Sequence, residues 1–246
     1  MAGQIKKFVI SLKRTPRRLE QFYASNERYN DIAPIEAIDG DNLTIEDLAR
    51  NKLVSGAIEY KRGAIGCALS HRQLWLHAAT NNTPVTVCED DAELHDYFDD
   101  ESQKLTDLAD KDWDFILWGW NFRSILFAQS FPMLSPFLIR GSEDELRKNK
   151  LQYKKGATRS TLLVLRATYG IPCYSISAVG AQKFLAHCFP LRPIDFVIPE
   201  LDMRVENNGI DCAMNSIYFP RSKSYVCFPP LALTDNDKSI STIGQR

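Results

Sequence analysis

Short apolar runs alternate with stretches of helical spacing through the first half of the chain, and this alternation limits the fold more than any other feature. Lys7 to Leu12 reads as a first buried strand. Thr15-Pro16 follows, a good N-cap and a residue suited to a first helical turn, with Leu19, Phe22 and Tyr23 as the apolar face. Pro34 to Ile38 reads as a second strand ending at the turn Asp39-Gly40-Asp41-Asn42, and Thr44 with Asp47 reads as the capped start of a short helix. Arg62 to Ala79 predicts a long helix that is apolar nearly all round, hence central and buried. Thr83 to Cys88, Asp114 to Trp118, Leu162 to Leu165 and Cys173 to Ser177 read as further strands. Phe98 to Leu108 and Val179 to Cys188 read as helices, Ile194 to Asn207 as containing another, and the tail from Pro229 as irregular. Strands alternating with helices in this way argue for an α/β fold with a mainly parallel sheet. The stretch from Arg140 to Arg159 is polar, charged and weakly periodic, and reads as a mobile charged insertion near 140–160.

The chain has 246 residues, 44% of them hydrophobic, enough for one large domain or two small ones. Its net charge of -1 argues against bulk attraction to nucleic acid. The six cysteines form no CxxC pair and lie at no zinc-site spacing with a histidine, so they read as buried free thiols in a reducing compartment. The apolar run Phe8 to Leu12 is too short for a signal-peptide core, and no stretch reaches the length of a membrane span. The expected location is cytoplasmic, with any membrane contact peripheral, on the cytoplasmic face of the inner membrane.

The strand ending at Cys88 runs straight into Glu89-Asp90-Asp91. In open α/β sheets, ligands bind at the carboxyl ends of strands. Three adjacent carboxylates repel one another unless a cation or ordered donors compensate, and hard oxygen ligands suit Mg2+ or Mn2+. A solvated acidic turn is the plainer alternative. Ser70-His71 on the central helix needs polar partners, and a core histidine bonded to backbone or to the acidic triplet satisfies that need. Arg14, Arg17 and Arg18 stand where a strand end feeds a helix start, a natural phosphate site or else a solvated basic turn. Trp113, Trp118 and Trp120 are either sugar-stacking platforms or core. The basic residues between Arg147 and Arg159 suit an anionic acceptor, a membrane surface or plain solvation. Asp195, with Glu200 and Asp202 just beyond, is a candidate base or a helix N-cap.

Several blocks in order resemble glycosyltransferase family 25, the bacterial lipooligosaccharide galactosyltransferases related to collagen glycosyltransferase domains. They are FVISLKRTPRR (8–18), IEAIDG (35–40), GAIGCALSHRQLW (63–75), VCEDDA (87–92), YGIPCYSISAVGAQKFL (169–185), RPID (192–195) and PPLALTDNDKSIS (229–241). The resemblance implies a single GT-A-type (Rossmann-like) domain over 1–246, with a mixed, mainly parallel sheet flanked by helices. It implies a nucleotide-sugar donor, usually UDP-galactose, a divalent cation (Mn2+ or Mg2+), inversion at the anomeric carbon and a glycan or glycolipid acceptor. Under it, Asp91 is the leading metal ligand, with Glu89 or Asp90 toward the ribose or the metal. Ser11, Arg14, Arg17, Ser70 and His71 fall on the donor side. No histidine follows His187, so Asp235 or Asp237 stands in as the third ligand, and Ala64 replaces a glutamate frequent in relatives. The RPID block makes Asp195 the expected base, ahead of Glu200. A glucosyltransferase, a metal-dependent nucleotidyltransferase and a non-catalytic sugar-binding module are the other readings of the same residues.

Overall fold

The computed structural model describes residues 5–130 and 135–236. The strands are β1 (Lys6–Ser11), β2 (Ala33–Glu36), β3 (Val85–Glu89), β4 (Ala92–Leu94), β5 (Phe115–Gly119), β6 (Ile125–Gln129), β7 (Phe137–Arg140), β8 (Thr161–Thr168), β9 (Cys173–Ile176), β10 (Phe196–Ile198), β11 (Met203–Val205), β12 (Ser224–Phe228) and β13 (Ala232–Thr234). The helices are α1 (Pro16–Ser25), α2 (Ile45–Arg50), α3 (Arg62–Asn81), α4 (Phe98–Leu108), α5 (Glu143–Lys155), α6 (Ala178–Cys188) and α7 (Ile210–Met214). Nine strands form one mixed sheet in the order β2-β1-β3-β9-β5-β12-β8-β6-β7. Strands β2, β1, β3, β5, β12 and β6 run in one direction, and β9, β8 and β7 run against them. This is a single α/β domain with a largely unidirectional sheet.

Both faces of the sheet are covered. In β1, Phe8 and Ile10 point into a core built with α3 and α6, while Val9 joins a second core with Phe22 of α1 and Phe98 and Leu105 of α4. This two-sided burial is why β1 and β3 read as continuous apolar runs, with no polar alternation. One lysine breaks the pattern: Lys7 is 3% exposed and satisfied by Asp31 at 2.9 Å and Asp99 at 2.6 Å. Helix α3 is central as expected, with Ala68, Leu74, Trp75 and Ala78 buried. Thr44 caps α2 by accepting from the Asp47 amide. Thr15, by contrast, makes no side-chain cap, because its hydroxyl donates to the Leu12 carbonyl.

Three readings of the sequence are corrected. The segment 194–207 is a β10–β11 hairpin and not a helix. Pro199 and a left-handed Asp202 (φ 47°) interrupt it, while Ile198 and Val205 are buried in a small third core against which Phe196, Leu201 and Met203 also pack. The tail is not wholly irregular, since β13 pairs antiparallel with β4. The charged stretch 140–160 contains helix α5, capped by Ser142, whose hydroxyl accepts from the Glu145 amide. Leu146 is its buried residue, so the helix is held by polar ties. Lys150 bonds Glu93 and Asp235, Lys154 bonds the Ser25 carbonyl, and Tyr153 donates to the Pro230 carbonyl at 2.7 Å. Few apolar residues mark such a helix, which is why its periodicity is weak in sequence. No helix among the described residues is long and apolar enough to cross a membrane.

Candidate functional site

Strands β1 and β3 deliver their carboxyl ends side by side, with Ile10 in register with Glu89. Beyond Glu89 the chain leaves the main sheet for the β4–β13 ribbon, so Asp90 and Asp91 occupy the turn between them. Ser11 Oγ donates to Asp90 Oδ2 at 2.8 Å, and Arg18 Nε donates to Asp90 Oδ1 at 2.8 Å. The Arg18 guanidinium also lies 3.8 Å from Asp91 Oδ2. Burial alone would lower the Arg18 pKa, but its bond to Asp90 and the charges of Asp91 and Glu89 raise it on balance.

The Arg18–Asp90 pair forms a partition between two clefts. On one side is a deep slot of about 70 Å³, lined by Ser11, Cys67, Ser70, His71 and Glu89. Past Leu12, Arg14 and Asp39, which line both spaces, it opens into a trough of about 600 Å³. Slot and trough together are of the size that holds a small organic ligand. On the other side of the partition, Asp91, Glu93, Asp235 and Asn236 line a cleft of about 340 Å³. Arg14 Nε donates to Asp39 Oδ2 at 2.7 Å, which keeps this arginine at the slot mouth. The wall of the slot depends on two glycines. A Cβ on Gly66 would stand 2.4 Å from the Ile38 carbonyl oxygen, and one on Gly40 would stand 1.9 Å from the Arg62 carbonyl oxygen. Only bare backbone allows the turn at Gly40 to sit against the start of α3.

The helix face Gly63, Cys67, Ser70, His71 looks into the slot. Ser70 is fully engaged in structure: its Oγ accepts from the Ile38 amide at 2.8 Å and donates to the Gly66 carbonyl at 2.7 Å. His71 is 1% exposed; its Nδ1 lies 2.9 Å from the Tyr174 hydroxyl, and its Nε2 is 3.4 Å from Glu89 Oε1. The histidine therefore does sit against the triplet, as one reading of the sequence required.

Asp91 departs most from an ordinary surface acid. Its Oδ1 is buried and has no hydrogen-bond partner. Burial pushes its carboxyl up to about 7; Glu89 and Asp90 add to this and Arg18 opposes it. Asp235, across the same cleft, also has a buried unpartnered Oδ1, while its Oδ2 accepts from Lys150 at 2.6 Å. A buried carboxylate oxygen with nothing to bond is destabilising. A hard divalent cation suits carboxylate oxygens of this kind, but among the described residues no trio of ligand atoms that includes Asp91 or Asp235 lies within 4.8 Å of one another, so these acids alone form no closed cage. Asp237, the other expected ligand, lies outside the described residues.

Of the residues expected on the donor side, Ser11, Arg14, Ser70, His71, Glu89 and Asp90 meet in one slot. Arg17 does not: it is exposed and faces away from the groove lining, one position round the helix from Arg18, which takes the inward place. Asp195 and Glu200 are also outside this lining. Asp195 accepts from Arg204 Nε at 2.7 Å and from the Asn207 amide at 3.1 Å; the amide and then Arg204 hold its carboxyl below the usual range. Glu200 pairs with Arg166 and is likewise lowered, chiefly by its own backbone amide. Trp113, Trp118 and Trp120 are all buried, so they are core and not stacking platforms. Arg18, expected only as one of three arginines near a phosphate site, lines the slot, and Asp39 and Cys67 are slot residues not singled out from sequence. The turn signal at Asp39-Gly40 and the four-residue spacing of Cys67 and His71 were the available clues.

The family model described as glycosyltransferase family 25 (LPS biosynthesis protein) matches residues 4–198. No curated protein matches the chain. A similar solved structure is the crystal structure of mannose-1-phosphate geranyltransferase from Thermus thermophilus, at 7% identity and a TM-score of 0.31. The match covers 73% of this chain and 44% of that one, so the chain spans less than half of that protein's length.

Proposed function

The chain belongs to glycosyltransferase family 25, a family of LPS biosynthesis proteins, and on that premise we propose that it moves galactose from UDP-galactose onto a lipooligosaccharide or related glycan, with inversion. The fold is taken as GT-A-type. The observation that carries the reading is Asp91, an unpartnered buried carboxylate oxygen just past the carboxyl end of β3, in a cleft that the Arg18–Asp90 pair divides from a slot and trough large enough together for a nucleotide sugar. Asp91 is the proposed principal ligand of Mn2+ or Mg2+, with Asp235, which lines the same cleft, and Glu89, its neighbour but one in the chain, as further candidates beside Asp237; the donor diphosphate would complete the shell. A divalent cation held there supplies charge neutralisation for the departing diphosphate.

The chain's own residues do the rest. Arg14 at the slot mouth and the amino-terminal end of α1 attract the diphosphate. Ser11 and Arg18 fix the Asp90 carboxylate in one orientation, which leaves its remaining acceptor capacity for the hydroxyls of the donor's ribose. His71, anchored on Tyr174, limits Glu89 to the slot side of the turn. Asp195 is the proposed base for the acceptor hydroxyl, on the strength of its RPID block. To accept the proton it must exchange Arg204 for the acceptor, because the Asn207 amide and then Arg204 now hold its pKa low. The acceptor is a glycan or glycolipid, and contact with a membrane surface is peripheral.

A nucleotide-sugar panel tests this function. UDP-galactose should release UDP in the presence of acceptor and Mn2+, faster than UDP-glucose, and EDTA should abolish release. Discrimination between these epimers rests on one hydroxyl. Release of pyrophosphate from a nucleoside triphosphate, with no turnover of any nucleotide sugar, would assign the chain to nucleotidyl transfer instead.

A further inference from the structure

We propose that Cys67, His71 and Glu89 form a second metal site, chemically distinct from the acidic turn, that takes a zinc-class ion. Cys67 and His71 are four residues apart on α3, so both project from one helix face into the slot, where Glu89 meets them from the end of β3. One ligand atom from each, thiol sulfur, imidazole nitrogen and carboxylate oxygen, lies within 4.8 Å of the others. The His71 Nε2 to Glu89 Oε1 separation of 3.4 Å fits the edge of a tetrahedron with bonds of about 2.1 Å.

A second observation points to a missing group at this place. His71 Nε2 is buried and makes no hydrogen bond; Glu89 Oε1 stands 3.4 Å away. Trp75 Nε1 must donate to the Tyr174 oxygen at 2.7 Å, and Tyr174 in turn meets His71 Nδ1 at 2.9 Å. If Tyr174 donates to Nδ1, a buried Nε2–H is left unmatched. If Nδ1–H donates to Tyr174, the Nε2 lone pair is left unmatched, and the Tyr174 hydroxyl, already accepting from Trp75, must turn its own proton to another acceptor. The second arrangement is the one in which a metal-bound imidazole is found, with its far nitrogen anchored by a hydrogen bond that fixes the tautomer. A thiolate and an imidazole select a borderline-soft ion over Mg2+ or Mn2+. Binding releases the Cys67 thiol proton to solvent, and the fourth position opens into the slot for water. Asp91 lies beyond the Arg18–Asp90 partition, so the two sites differ in place as well as in ligands and share only Glu89. A zinc ion holding Glu89 against α3 withdraws it from the donor, a consequence that rests on the glycosyl-transfer reading.

The test uses chelator-stripped protein titrated with Co2+, without nucleotide. One equivalent should bind and raise a near-ultraviolet thiolate-to-cobalt charge-transfer band, which Zn2+ then bleaches. Cys67→Ser should remove the band. Tyr174→Phe, which keeps all three ligands, should weaken affinity about 10- to 100-fold. Asp91→Asn should leave the band in place. No band in the unmodified protein, or a band that survives Cys67→Ser, overturns the proposal. If Cys67→Ser does not fold, X-ray absorption of the zinc-loaded unmodified protein decides: one sulfur in the first shell supports the site, and a shell of only nitrogen and oxygen overturns it. If protein with this site empty, supplied with Mn2+ and acceptor, turns over no nucleotide sugar yet shows the cobalt band on titration, the zinc site stands and the glycosyl-transfer reading falls.

Discussion

Carboxylates at the end of a buried strand repel one another, and here the strain collects on Asp91. Its pKa in the folded chain, about 7, stands above the ordinary 3.8. The folded state therefore binds this proton more tightly than the unfolded chain does. The resulting stabilisation is complete below about pH 4 and is lost as pH rises through about 7. Because the side chain is partly open to solvent, screening reduces the effect to on the order of 1 kcal/mol. Urea unfolding of metal-free protein should show stability falling across that window, and Asp91→Asn should flatten the slope. An equal slope in the variant would remove Asp91 as its origin. Asp195 makes the opposite case, an acid held low by Asn207 and Arg204. Asp195→Asn should lower kcat by about 10²- to 10⁴-fold while donor affinity is unchanged; retained turnover would refute its role as base. Residue types with strong chemistry, such as the acidic triplet and His71, were legible in the sequence. Which arginine faces inward was not, because Arg17 and Arg18 differ only by a rotation about α1 that packing decides.

Elements were legible in proportion to their length and to the width of their apolar face. Helices α3, α4 and α6 carry enough turns for periodicity to show, and β1 and β3 carry uninterrupted apolar runs. Strands β4, β10, β11 and β13 have three residues each, too few for a period, and their partners are supplied by distant chain or across an irregular turn. The hairpin at 196–205 accordingly reads as helix from sequence alone. The contact between the Gly40 turn and α3 shows how an element can also set the site. Gly66→Ala adds a methyl 2.4 Å from the Ile38 carbonyl oxygen and 2.7 Å from the Gly40 amide nitrogen, both backbone atoms that cannot turn aside. Overpacking of this kind costs about 1–3 kcal/mol. The variant should unfold at correspondingly lower urea concentration. Because the displaced turn carries Asp39, which holds Arg14, the variant should also bind nucleotide more weakly. Unchanged stability would mean that α3 can shift as a body, and unchanged nucleotide affinity would mean that the turn does not control Arg14.

At the scale of the molecule, the groove is assembled from distant chain. Residues before 92 supply the slot, while β13 and Asp235 close the far cleft after the chain has crossed the sheet and returned. That return was not legible, because β12 enters between β5 and β8 through pairings that no local pattern encodes. The arrangement predicts a thermodynamic coupling. A diphosphate approaching Glu89, Asp90 and Asp91 meets like charge, which Arg18 offsets only in part because it already serves Asp90. UDP alone should therefore bind weakly, and Mn2+ alone should find few ligands. Each should improve the other's binding, by the same factor in both directions. A ligand at a hundredfold excess over its Kd adds about 2.7 kcal/mol to stability, which for a chain of this size raises Tm by about 5–10 °C. Thermal unfolding with Mn2+, with UDP and with both should show a joint shift larger than the two single shifts combined, and Asp91→Asn should reduce it to the effect of UDP alone. A UDP shift of full size without any divalent ion would mean that arginines and α1 bind the diphosphate by themselves. The unpartnered oxygen of Asp91 would then need another explanation.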